Sequence, residues 1–173
     1  MMNAELCLIK QVSFEVREVK PFLQELRDIG SQYGVCIVCL DRNVMAGQRH
    51  VRSAIGHAFR SHDERANIAR TPEIEILLYA AGTRQTSLTR PFGVHQGMNE
   101  AYLCICPGNE QVAIELSSLF DDRDKEDWEA ISEEKMHVLQ DLFHITDEEL
   151  RVVGSDRIQD LVCERVALLE VFK

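Results

Sequence analysis

The chain has 173 residues, 29 acidic and 19 basic side chains, a formal charge of −10 and a hydrophobic fraction of 45%. That profile suits one soluble domain with a full core, and no apolar run nears the roughly 18 residues that a bilayer-crossing helix needs. The first residues lack a basic stretch followed by an apolar one, so a signal peptide is not expected, a cytoplasmic location is, and the six cysteines read as reduced thiols.

The elements follow in chain order. Leu6 to Val16 alternates imperfectly and reads as one or two strands. Phe22, Leu23, Leu26 and Ile29 have helical spacing across Pro21 to Tyr33, with Gly34 placed to end the helix. Val35 to Leu40 is a short apolar run rich in β-formers, a buried strand. Gln48 to Arg60 reads as a helix. Thr71 suits the cap of the next helix, Pro72 its first turn, and Glu73 and Glu75 its positive end; it stops at Gly82. Ala101 to Cys106 is a strand, and Asn109 opens a helix to about Phe120. Helices follow at Glu133 to Phe143, at Thr146 to Val152 with Thr146 and Glu149 as a capping box, and at Asp156 to Phe172. The expected fold is α+β (mixed α/β): a small central β-sheet covered by about seven α-helices, in a single domain over 1–173.

Charge is unevenly spread. Between Asp41 and Gly97 all eight cations are arginine (Arg42, Arg49, Arg52, Arg60, Arg65, Arg70, Arg84 and Arg90), against five acids. Arginine offers a planar fork that matches phosphate and stacks on bases. From Asn109 to Asp160 the balance reverses, with 16 acids and five bases. The densest acidic piece, Asp121 to Asp127, reads as a solvated loop, and no role is assigned to the stretch 121–134.

Catalytic and metal signatures are missing. Cys36 and Cys39 have C-x-x-C spacing, but three residues apart on a strand they face opposite ways. Cys104 and Cys106 share a face without a histidine pair at zinc spacing. His50 and His57 lie about 10 Å apart along a helix, too far for one zinc. No nucleotide-binding glycine loop, nucleophile elbow or zinc-protease motif is present. The expectation is therefore a chain without catalytic residues, metal, cofactor or small-molecule substrate.

On a helical wheel, Gln48 to Arg60 puts Val51, Ala54, Ile55, Ala58 and Phe59 on one face and Arg49, Arg52 and Arg60 on the other. Glycines at 47, 82 and 97 are points where backbone can approach a ligand closely. One stretch carries a resemblance. Ala46-Gly47-x-x-His50, Ala54, Ala58-Phe59, Ile68-Ala69, Glu73, Glu75-x-Leu77-Leu78-Tyr79-Ala80-Ala81-Gly82-Thr83-Arg84-Gln85, Phe92-Gly93-Val94 and Gly97 together resemble the PRPK-binding protein family. That family is the kinase-binding subunit of the KEOPS complex.

The resemblance covers roughly residues 43–106. It implies a non-catalytic subunit that binds the small atypical kinase/ATPase of KEOPS. It also implies help in holding tRNA by its 3′ CCA end for threonylcarbamoyladenosine modification of ANN-decoding tRNAs. In this chain Arg49, Arg52, Arg60, Gly82, Thr83, Arg84 and Gln85 are then the expected tRNA contacts. The family pattern continues into an alanine-rich helix after Gln85, whereas this chain has Thr86-Ser87-Leu88-Thr89-Arg90-Pro91. The last helix has a broad apolar arc, so Ile158, Val162 and Leu169 are the expected kinase interface, with Arg165 in mid-arc needing an acid or an edge. Two other readings stand beside this one: a protein-interaction module with no RNA role, and an enzyme of unknown chemistry using His50, His57 or Cys36.

Overall fold

A computed structural model describes residues 2–172. Strand β1 (Leu8–Val16) follows a short 3-10 turn at Ala4–Leu6. Next come α1 (Val19–Tyr33), β2 (Cys36–Asp41), α2 (Gln48–Asp63) and α3 (Pro72–Ala81). A 3-10 helix at Thr86–Phe92 leads into β3 (Gly97–Cys106), α4 (Glu110–Leu116) and a two-residue β4 (Asp121–Asp122). The chain closes with α5 (Glu133–Phe143), α6 (Asp147–Val153) and α7 (Ile158–Val171). The four strands make one antiparallel sheet in the order β2-β3-β1-β4.

The sheet divides two cores, as strict alternation along a strand requires. Val38, Leu40, Tyr102 and Cys104 face α2, α3, α5 and α7. Ile37, Cys39, Leu103 and Ile105 face the opposite side, where α1 and α4 supply Leu26, Val112 and Leu116. The α+β class with seven α-helices in one domain is what the periodicities indicate. Helix boundaries follow their caps: Gly34 and Gly82 both adopt the left-handed conformation at helix ends, and Thr146 accepts from the Glu149 amide.

Three expectations need correction. First, β3 starts at Gly97 rather than Ala101, because all of β1 pairs with it, out to Val16 opposite Gly97. Its start, where Asn99 and Glu100 follow Gly97 and Met98, hides the strand from a hydrophobicity reading. Second, α4 ends at Leu116 and the acidic run beyond it is no solvated loop. Asp121 and Asp122 pair with Ser13 and Val12, while Gln11 is held by the Arg123 and Glu126 carbonyls and the Asp124 carboxylate. Trp128 is buried against Tyr102, with ring centroids 5.2 Å apart. The acids stay in solvent while the backbone straps the edge of the sheet. Third, the cysteines are not all free: Cys7 and Cys106 form a disulfide. Leu8 lies opposite Ile105, so one step further brings two residues 99 apart in sequence face to face. Cys36, Cys39, Cys104 and Cys163 keep free thiols.

Candidate functional site: an arginine-rimmed cleft

Helix α2 buries its apolar arc and presents its arginines outward, as the wheel requires. The arginines are not an open cationic field, however. Arg49 pairs with Asp160 and Arg60 reaches Glu170 at 3.4 Å, both acids coming from α7. Arg52 is half-buried and donates to the Ala4 carbonyl at 3.0 Å. Packing α7 alongside α2 thus brings part of the acidic half onto the basic helix, which a linear charge count does not show.

The turn Gly82-Thr83-Arg84-Gln85 lines a cleft of ≈ 1020 Å³. Its walls come from the end of α3, the 3-10 helix, the α5–α6 corner and α7. Gly82 needs its left-handed φ of +62° to turn here, and an added Cβ would lie 3.6 Å from the Phe143 ring. Arg84 crosses to the Phe172 carbonyl at 2.9 Å. Arg90 stands at the rim and Arg165 in the wall. The Arg165 head forks onto both Glu149 oxygens at 2.9 and 2.7 Å and leans on the Phe143 carbonyl. This settles the awkward mid-arc charge: the stem crosses apolar surface and the head finds an acid.

The expected kinase contacts need correction. Ile158, Val162 and Leu169 are buried among this chain's own helices, at 1%, 0% and 6% exposure. The apolar arc is broad because α7 packs on both α2 and α3, not because it faces outward. The exposed apolar residues of this region are Leu168, Val171 and Phe172, with Leu88 across the cleft. Leu168, Phe172 and Leu88 line a mixed surface of apolar side chains and guanidinium groups, suited to an anionic or amphipathic ligand.

The candidate catalytic groups are placed as structural ones. His50 is fully buried, its Nδ1 accepting from the Ala46 amide and its Nε2–H donating to the Ala80 carbonyl, each at 2.9 Å. Burial pushes the ring down to about 4, partly offset by the Ala80 hydrogen bond. With both nitrogens occupied, it has none to offer a substrate. His57 stacks on Tyr79 and donates to Glu170 at 2.9 Å. Cys36 and Cys39 sit in opposite cores, and burial pushes both thiols up. Among the described residues no group of three or more His, Cys, Asp or Glu side chains could hold a metal.

The sequence marks Glu75 only as a residue for the positive end of its helix and in the family resemblance, and Glu129 not at all. Glu75 is fully buried on α3, and its carboxylate accepts from the amides of Ile68 and Ala69 at 2.6 to 3.1 Å. Its place three and four residues before Leu78 and Tyr79, on the buried face, is the signal that could have flagged it. Glu129, in the acidic strap, accepts from the Gln48 amide at 2.8 Å and so caps α2. Nothing local in sequence points to that pairing. Neither a family model nor a curated protein matches this chain.

Proposed function

We propose that this chain is a non-catalytic subunit of a KEOPS-type complex, which binds the small atypical kinase/ATPase and helps hold tRNA by its 3′ end. The observation that carries the reading is the cleft. It unites the Gly82-Thr83-Arg84-Gln85 turn, the most specific part of the resemblance, with Arg90 and with exposed Leu88, Leu168 and Phe172. A guanidinium plane, a bare glycine backbone and apolar surface together suit single-stranded nucleotides or an amphipathic protein face. The kinase surface is then the exposed end of α7, at Leu168, Val171 and Phe172, beside the cleft. Arg49 and Arg60 reach phosphate only by exchanging their Asp160 and Glu170 partners, so Arg84 and Arg90 carry more of the contact.

The enzyme reading rests on His50, His57 and Cys36, whose engaged nitrogens and buried thiol suit structural roles. The interaction module without RNA is distinguished by experiment. The chain is mixed with the KEOPS kinase from the same organism, and separately with intact tRNA and tRNA lacking CCA. Co-elution with the kinase and weaker binding of trimmed tRNA support the proposal. Kinase binding with equal indifference to both tRNAs leaves the interaction module. Neither interaction refutes both.

A further inference from the structure

The sheet places three cysteines in a row. Cys36 on β2 lies directly opposite Cys106 on the central strand β3, and Cys106 is joined to Cys7 on the far side of β3. All three belong to the same core face, the one that excludes Cys39. Side-by-side antiparallel strands bring directly opposed residues to about 4.5–5.5 Å between Cα atoms, within disulfide range. Cys7 and Cys106 stand 4.5 Å apart. Attack on a disulfide proceeds through a nearly linear array of three sulfurs, with the attacked atom in the middle. Cys106 holds that middle place.

The Cys7 side of the row bears the N-terminal segment. Its other ties are the Gly108 amide donating to the Leu6 carbonyl at 2.6 Å, Arg52 donating to the Ala4 carbonyl, and Ala4 buried against α2. A cleft of ≈ 480 Å³ opens onto the row, lined by Cys36 and Cys106 with Arg27 and Arg70 also in its walls. The cleft is the path by which a small anionic thiol would approach Cys36 and Cys106, which are otherwise buried at 7% and 1% exposure.

We propose that Cys36, Cys106 and Cys7 form a thiol–disulfide relay in which Cys106 changes partner between Cys7 and Cys36, tethering the N-terminal segment in one pairing and releasing it in the other. The Cys36 thiol loses its proton and its sulfur attacks Sγ of Cys106. The Cys36–Cys106 bond forms as the Cys106–Cys7 bond breaks, and Cys7 leaves as a thiolate that takes up a proton. One disulfide and one thiol stand on each side, so no oxidant or reductant is consumed. Burial and the neighbouring Glu73 carboxylate push the Cys36 thiol up, which makes its thiolate scarce and the exchange slow.

The test maps disulfides in the full chain purified without reductant. Free thiols are blocked with N-ethylmaleimide in denaturant, and bridges are located by mass spectrometry with fragmentation. Fragmentation is needed because Cys36 shares a tryptic peptide with Cys39, and Cys104 shares one with Cys106. The untreated protein should show Cys7–Cys106. Incubation in a glutathione and glutathione disulfide mixture should add a Cys36–Cys106 population while Cys39 and Cys104 remain unbridged. Cys7→Ser should give only Cys36–Cys106, and Cys36→Ser only Cys7–Cys106. Limited proteolysis within Met2–Leu6 should be several-fold faster in Cys7→Ser than in Cys36→Ser. Full alkylation of Cys7 and Cys106 after glutathione disulfide treatment overturns the proposal. So does the absence of any Cys36–Cys106 bridge in treated wild type, a measurement that decides the question even if Cys7→Ser fails to fold.

Discussion

Lowering the pH should destabilise this protein through one residue, His50. The folded ring titrates at about 4 because it is buried with both nitrogens engaged, whereas an unfolded imidazole titrates near 6.5. Between those values the unfolded chain binds the extra proton, so stability is complete above about 6.5, falls as pH drops and levels off below about 4. Linkage over that window gives a loss of about 2 kcal/mol between pH 7 and pH 5 from His50 alone. The assay is urea unfolding at both pH values for the wild type and for His50→Gln, which keeps a donor and an acceptor but does not titrate here. The variant should start less stable at pH 7 yet lose about 2 kcal/mol less on acidification. Other titrating groups, including Asp41, which burial pushes up, are common to both proteins and cancel in the comparison. An equal pH effect in the two proteins would refute the reasoning.

Further outcomes can be checked directly. Glu75→Ala strips the acceptor from the Ile68 and Ala69 amides and should cost about 3 kcal/mol in denaturant unfolding, with Glu75→Gln milder. Leu168→Arg and Phe172→Arg should melt like wild type while weakening kinase binding by calorimetry; Ile158→Arg and Val162→Arg should lower the melting temperature of the isolated chain, since each would bury a charge. Arg84→Glu and Arg90→Glu should each flatten the log–log salt dependence of tRNA binding by roughly 0.7, the share of one phosphate contact on a single strand, and unchanged slopes would remove the cleft from the RNA reading.

Local rules carried most of the fold into the sequence. Pro72 and Gly82 bracket α3 because helix-end preferences act over one turn, although Thr71 makes no capping side-chain hydrogen bond, and the β2 apolar run announces a strand covered on both faces. What stayed hidden depends on distant partners. Asp121 and Asp122 form strand only because β1 needs a neighbour, and Cys7 meets Cys106 only through register. The arginine face was legible as a wheel, but Asp160 and Glu170 come to it through the docking of α7. The same docking explains why an arc that looked half-exposed is interior. The turn at Gly82 to Gln85 could be singled out by its residues; its union with Leu88, Leu168 and Phe172 could not.

The sheet order has a consequence for how the chain assembles. β2 ends at Asp41 and the strand it pairs with begins at Gly97, while β1 waits for that same strand on one side and for Asp121–Asp122 on the other. Among the described residues no tight hairpin starts the sheet, so every pairing closes a long loop, a topology that folds slowly. Helices α2 and α3, neighbours in sequence and closely packed, can meet early. During synthesis the N-terminal strand must emerge, remain unpaired and keep clear of other chains until more than half of the protein has followed it. The tie of Glu129 onto the Gln48 amide closes only when the acidic strap arrives, so a nascent chain halted before it would hold α2 with its first turn uncapped.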